Sequence, residues 1–275
     1  MKIDLHTHTY FSDGHLSPSE LIMRAHNQQI DVLAITDHDT TAGLSEARAA
    51  QAEQNRTLDI ISGVEITTRW HGFEIHILGL NVDDTDANFQ ERLALQSKTR
   101  TERAQKMCDK LERCGYPDVY DKALAKVGKG QITRAHIAQV LVEEGIVSHF
   151  QQAFTQYIGK DKRAYVNSQW IDIATAVQWI TEAGGKAVVA HPGHYDMKTK
   201  WLKRLLAEFK EVGGHGMEVT HPNMQLTKKT MLANLAKEFS LMAAVGSDFH
   251  FPSRWTELGR NLGIDSELVP VWEHW

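Results

Sequence analysis

Short runs of aliphatic and β-branched residues alternate with longer stretches in which apolar residues return every three or four positions through the first eighty residues of the chain. The runs Ile3 to Leu5, Val32 to Ile35, Ile60 to Val64 and Ile75 to Leu80 predict strands. Ser17 to Gln29 predicts a helix, with Ser17 as its N-cap and Pro18 at the first helical position. After Ile171 the alternation resumes: Lys186 to Ala190, Met217 to Val219 and Leu241 to Val245 read as strands, separated by helical patterns over Lys198 to Val212 and Met224 to Phe239. Strand and helix in alternation imply an α/β fold with a parallel sheet and right-handed crossovers. Between about Asp84 and Tyr165 strand signals vanish. Ala104, Met107, Cys108 and Leu111 follow the spacing of one helix face, and Thr133 to Glu144 and Ser148 to Ile158 predict two further helices. The expected organisation is a barrel-sized domain from 1–84 and 166–275, interrupted by a small helical insert over 85–165.

A chain of 275 residues, 42% of them apolar, is long enough for one such domain with its insert. No run approaches the roughly 20 apolar residues needed to span a bilayer, and the N-terminus enters a strand at once, so a cytoplasmic protein without a membrane partner is expected. The only cysteines, Cys108 and Cys114, lie in a helical pattern and are read as reduced structural thiols. From Lys98 to Arg163 there are 13 Lys or Arg against 8 Asp or Glu, a net of +5, which leaves −10 for the rest of a chain whose total is −5. A basic insert suggests a polyanionic substrate; a solvated charged helix face is the alternative for any single Lys.

Chemistry enters at the ends of the strand-like runs. His6 and His8, at i and i+2, share a face if the segment is extended and can grip one divalent ion. Thr36-Asp37-His38-Asp39, Gly63-Val64-Glu65, Glu74-Ile75-His76, Ala190-His191-Pro192 and Ser247-Asp248-Phe249-His250 each place His or a carboxylate just beyond, or late within, another apolar run. Strand ends on one rim of a parallel barrel converge, so these groups become one candidate site.

Taken in order, His6-x-His8-Thr9, Thr36-Asp37-His38-Asp39, Gly63-Val64-Glu65, Ala190-His191-Pro192 and Ser247-Asp248-Phe249-His250 resemble the motifs of the PHP (polymerase and histidinol phosphatase) metal-dependent phosphoesterases. Phe11-Ser12-Asp13-Gly14, the stretch from Glu74 to Leu80, Lys200 to Leu205 and Trp255 to Gly259 are similar to a stand-alone bacterial branch that acts as 5′→3′ exoribonuclease and 3′,5′-nucleotide bisphosphate phosphatase. The resemblance implies a distorted (β/α)7 barrel of the PHP type with the helical domain inserted. It also implies three divalent ions. His6, His8, Glu65 and Asp248 match the ligands of the first; Glu65, His76 and His191 those of the second, with Glu65 as bridge; and Asp13, His38 and His250 those of the third. Asp13 stands where other branches use His. Imidazole with carboxylate suits manganese first, with zinc or iron as alternatives, and argues against magnesium.

The implied reaction is in-line attack of a metal-bridging hydroxide on phosphorus, with Glu65 and Asp13 as the carboxylates nearest the chemistry. His194, close behind the Ala190-His191-Pro192 motif, would assist phosphate binding or leaving-group protonation, or be a solvated loop residue. Arg134 would contact a second phosphate or make a surface salt bridge, and Lys160, Lys162 and Arg163 would line the same channel. Glu218 and His221 match no ligand position and are expected to support the site. The expected substrates are nucleoside 3′,5′-bisphosphates and short 5′-phosphorylated RNA or rRNA 5′ ends, with no obligate protein partner. A narrow phosphomonoesterase such as histidinol phosphatase, or a non-catalytic metal-bearing RNA-binding module, are the competing readings.

Overall fold

The structure is a computed structural model and describes every residue except that at position 274. Its centre is a seven-stranded sheet in sequential order: β1 (Ile3–Asp4), β2 (Val32–Ile35), β3 (Asp59–Trp70), β4 (Phe73–Leu80), β5 (Lys186–Val189), β6 (Gly216–Thr220) and β7 (Met242–Val245). The sheet curls until its ends meet. Leu5 N–H donates to the Val245 carbonyl at 3.0 Å and His8 N–H to that of Phe249 at 2.8 Å, which nearly closes a barrel.

The expectation of an all-parallel sheet needs correction: β4 runs antiparallel to both β3 and β5, while the other pairs are parallel. The cause is local. β3 and β4 are joined by His71-Gly72, both at positive φ (44° and 82°), the signature of the two-residue hairpin turn that matches strand twist. Reversal puts the early residues of β4 on the rim where the other strands end. His76 lies opposite Thr67, and Glu74 opposite Arg69, so the face that carries Glu65 and Thr67 also carries His76 and Glu74.

Apolar side chains fill both sides of the sheet. Leu5, Val32, Ala34, Leu78, Leu80, Val188, Ala190 and Ala244 form the barrel interior. Outside, Leu33 and Ile35 pack on Leu21 and Ile22 of α1 (Pro18–Asn27), and on α2 (Leu44–Ala52). Ser17 caps α1 through a capping box with Glu20, and Pro18 opens the helix as the sequence predicts. Ile77, Val189 and Met217 are covered by α7 (Ile173–Glu182), α8 (Thr199–Glu211) and α9 (Leu226–Glu238).

Between β4 and β5 run α3 (Ala87–Arg113), α4 (Val119–Val127), α5 (Arg134–Glu143) and α6 (Phe150–Ala153), the last continuing as a π-helical turn through Ile158. These have a separate core of Met107, Leu111, Val119, Ala123, Ile137, Leu141 and Ile158. The 27-residue α3 belongs to both bodies, because Phe89 and Leu93 pack with the barrel helices while Met107 and Leu111 pack in the insert. Cys108 and Cys114 are free, and burial pushes the Cys108 thiol up to about 12. Among the described residues no helix is long and apolar enough to cross a membrane.

Candidate active site

On β2 and β4 the inward apolar stripe runs directly into polar residues: Val32 and Ala34 are followed by Thr36 and His38, and Leu80 and Leu78 are preceded along the chain by His76 and Glu74. The rim therefore gathers all nine residues matched to ligand positions. Glu65 is at the centre. Its Oε2 lies 3.3 Å from His6 Nε2, 3.2 Å from His8 Nε2 and 3.1 Å from His38 Nδ1, while Oε1 lies 2.8 Å from His76 Nδ1 and 2.9 Å from His191 Nε2. Asp248 Oδ1 sits 3.4 Å from His6 Nε2 and 3.2 Å from His8 Nε2. On the outer side Asp13 faces His250 Nε2 at 3.3 Å and His38 Nε2 at 3.7 Å. Groups able to hold an ion are His6, His8 and Asp248; His6, Glu65 and His191; His38, Glu65 and His76; and His8, Asp13, His38 and His250.

Backbone strain accompanies the convergence. Asp39, His191 and Asp248 occupy left-handed conformations at φ 52°, 32° and 52°. Gly246 passes so close to His6 and Glu218 that a Cβ there would overlap both, so only glycine lets β7 end at this point.

The donor set fits metal ions on its own hydrogen bonding. His6 Nδ1 is 3.2 Å from both oxygens of Glu218, so in the neutral ring that a metal requires this nitrogen carries the proton and Nε2 presents a lone pair. Ser12 donates its hydroxyl proton to Asp37 at 2.6 Å and must therefore accept from His8 Nδ1 at 3.3 Å, leaving His8 Nε2 a lone pair too. These two Nε2 atoms face each other at 3.1 Å, beside carboxylate oxygens of Glu65 and Asp248. Converging lone pairs repel unless a cation lies among them, and such spacings suit ligand atoms each about 2.1 Å from one ion. Buried Asp13 Oδ1, His38 Nδ1 and His191 Nδ1 also lack hydrogen-bond partners.

The electrostatics agree. Burial would raise the carboxyls, yet the surrounding histidines hold Asp13, Glu65 and Asp248 well below the usual range. Burial would lower His8, but Asp248 and Glu65 lift it to about 10. The carboxylates thus demand positive charge, which protons or metal ions can supply. Glu218 also accepts the His191 N–H at 2.5 Å, so one buried carboxylate orients two of the histidines.

A cavity of about 920 Å³ opens from this cluster towards the insert. Asp13, His38, His76 and His250 lie along it, and Glu74, Arg100, Arg103, Arg134 and Trp170 line another part of its wall. Glu74 holds two guanidiniums, Arg103 Nη1 at 2.7 Å and Arg134 Nη2 at 2.7 Å, and accepts Trp170 Nε1–H at 3.2 Å. Arg100 pairs with Asp39 and lies 5.0 Å from the Trp170 ring centroid. Arg103 Nη2 is buried without an acceptor.

The PHP domain family matches residues 4–190. The chain belongs to the PHP family. A 5′-3′ exoribonuclease of Haemophilus influenzae is 48% identical over 272 residues, which is 99% of this chain and 98% of that protein. A 3′,5′-nucleoside bisphosphate phosphatase of Chromobacterium violaceum is 39% identical, covering 98% of this chain and 93% of its own length. The solved structure of a Chromobacterium violaceum amidohydrolase with bound sulfate and no metal superposes with a TM-score of 0.91 at 37% identity, over 99% of this chain and 95% of that one.

Not every residue singled out in the sequence reaches the cavity of this PHP barrel. Arg134 does. Lys160, Lys162 and Arg163 are exposed and do not line it: Lys160 instead donates to the Gly72 carbonyl at 3.1 Å, at the β3–β4 turn. His194, exposed, lies beside the histidine cluster instead of on the cavity wall, stacked on His221 with centroids 4.6 Å apart and on His191 with centroids 5.8 Å apart.

Arg100, Arg103 and Trp170 were not foreseen. A signal for the arginines exists: Phe89, Leu93, Gln96, Arg100, Arg103 and Met107 follow one continuous stripe of α3, whose middle members are polar at positions where core residues belong.

Proposed function

We propose that the chain is a metal-dependent phosphoesterase that removes the 3′-phosphate from nucleoside 3′,5′-bisphosphates and, by the same chemistry, releases 5′ nucleotides stepwise from short RNA. One observation carries this reading: a single cavity joins a cluster of metal-competent histidines and carboxylates to a set of guanidiniums, one with an unsatisfied buried donor. A substrate with two phosphates flanking one sugar fits such a two-ended site; a substrate with one phosphate leaves the guanidinium end unused.

In this reading His6, His8, Glu65 and Asp248 hold one divalent ion, Glu65, His76 and His191 a second, and Asp13, His38 and His250 a third, with manganese favoured and zinc or iron as alternatives. When bound, such ions supply Lewis acidity at the phosphoryl oxygens and lower the pKa of water. The protein's own groups do the rest. Glu218 and the Ser12–Asp37 pair fix the tautomers of His6 and His8. Asp39 and Glu74 hold Arg100, Arg103 and Arg134 so that their charge is in place before the substrate arrives. The insert supplies the 5′-phosphate contacts through Arg103 and Arg134, and the barrel supplies the hydrolytic centre.

The test is turnover by manganese-reconstituted protein of adenosine 3′,5′-bisphosphate, a 5′-phosphorylated RNA pentamer and histidinol phosphate, with metal content measured on the same sample. Hydrolysis of the first two far above the third is expected. Preference for histidinol phosphate, or RNA binding without turnover of any of the three, would overturn the reading.

A further inference from the structure

The cavity that carries Arg100, Arg103 and Arg134 on one side carries exposed aromatic rings on another. Phe251 is 47% exposed and Phe150 is 48% exposed, and both line the cavity. Phe251 stacks on His15, with ring centroids 4.8 Å apart and planes 23° apart. The stack is built by the backbone, since His15 N–H donates to the His250 carbonyl at 2.8 Å and so ties the loop after β1 to the segment after β7. Phe150 comes from the insert and packs on Phe154, 5.4 Å between centroids. Aromatic faces open at the mouth of a polar cavity are available to stack on a planar ligand.

We propose that the stacked His15–Phe251 pair is the platform on which the nucleobase immediately 3′ of the scissile phosphate stacks when the substrate is RNA, with Phe150 bordering the same opening. The proposal rests on the reading of the site given above. If the 5′-phosphate lies among Arg100, Arg103 and Arg134 and the 3′-phosphate at the ligand cluster, the first nucleotide fills the interior and the second must lie towards solvent. His250 and Asp13 belong to the ligand cluster, and Phe251 and His15 follow them closely in sequence, so the platform begins where the scissile phosphate ends. Aromatic faces accept any base, so the platform favours RNA over a mononucleotide without selecting sequence.

The experiment compares kcat/KM for a 5′-phosphorylated RNA pentamer, the same pentamer abasic at its second nucleotide, and adenosine 3′,5′-bisphosphate, using wild type, Phe251→Ala and Phe251→Trp. Phe251→Ala should lower the RNA-to-bisphosphate ratio about tenfold, the usual scale of one base–aromatic stack. Phe251→Trp should retain the ratio, which separates lost stacking from a damaged fold. The abasic pentamer should already be about tenfold poorer with wild type and lose little more with Phe251→Ala. An unchanged ratio in Phe251→Ala, or equal further loss on the abasic pentamer, overturns the platform. Failure of wild type to turn over either the bisphosphate or the intact RNA overturns the underlying functional reading instead.

Discussion

Asp39, in the loop after β2, holds Arg100 of α3 in an ion pair that shuts both groups away from water, their side chains 0% and 11% exposed. Asp39 adopts a left-handed backbone, accepts the Thr67 N–H at 2.9 Å, and so is fixed before it meets the guanidinium. Arg100 also donates to Thr67 Oγ1 at 2.6 Å. The pair ties the barrel rim to the helix that carries the insert.

Removing one partner leaves the other charge buried and unpaired. Asp39→Asn and Arg100→Ala should each destabilise the fold by about 3–5 kcal/mol. The double variant Asp39→Asn with Arg100→Ala should lose clearly less than the sum, because each single change already abolishes the same interaction. Urea unfolding of the four proteins measures this, and strict additivity would show that the pair does not act as a unit.

Glu65 divides its two oxygens between separate groups of histidines. Glu65→Gln replaces one of these oxygens with an amide that cannot serve a cation. Turnover of adenosine 3′,5′-bisphosphate should fall by more than about a hundredfold while thermal unfolding remains cooperative. Near-wild-type rates at full metal content would remove Glu65 from the centre of the site.

How much of this was legible depended on how locally each feature is encoded. The ligands were readable because each arrives in a short motif at the end of an apolar run, as with His6-Thr7-His8 or Asp248-Phe249-His250. The direction of β4 was not, because an apolar run does not state which way it points; the His71-Gly72 turn was the local clue. Lys160, Lys162 and Arg163 drew attention as clustered charge, yet clustering in sequence commonly marks a solvated surface, and that is where they lie. Arg100 and Arg103 were obscured by the many charges of α3, and only their place in a buried helical stripe distinguishes them. Long-range partners such as Asp39 with Arg100 depend on the insert docking against the barrel, which no local pattern reports.

Acid should loosen the guanidinium end of the cavity first through Glu74. Burial would raise this carboxyl, but Arg134 and Arg103 hold it at about 2, against 4.5 for an ordinary glutamate. A depressed carboxyl contributes stability that is present above the unfolded value and lost as pH falls through the folded one. The contribution, on the order of 3 kcal/mol, should therefore be complete above pH 4.5 and disappear towards about pH 2. Unfolding free energy measured against pH for wild type and Glu74→Gln should converge over that interval. Parallel curves would mean that Glu74 does not supply the linkage.

Arg134 shares Glu74 with Arg103, but its side chain is 32% exposed where that of Arg103 is 7% exposed. It can therefore be removed at smaller structural cost, since Glu74 keeps a guanidinium and the indole of Trp170. Arg134→Ala should weaken substrates carrying a 5′-phosphate much more than those lacking it, because only the former present a second dianion to this end of the cavity. Losing a charge-assisted contact costs about 1.5–3 kcal/mol, or roughly tenfold to a hundredfold in kcat/KM. Adenosine 3′-monophosphate is the control, since its only phosphate belongs at the ligand cluster. If both substrates lose the same factor, Arg134 does not read the 5′ end. Arg103, with its unpartnered buried Nη2, then becomes the stronger candidate, ahead of the exposed Lys160, Lys162 and Arg163.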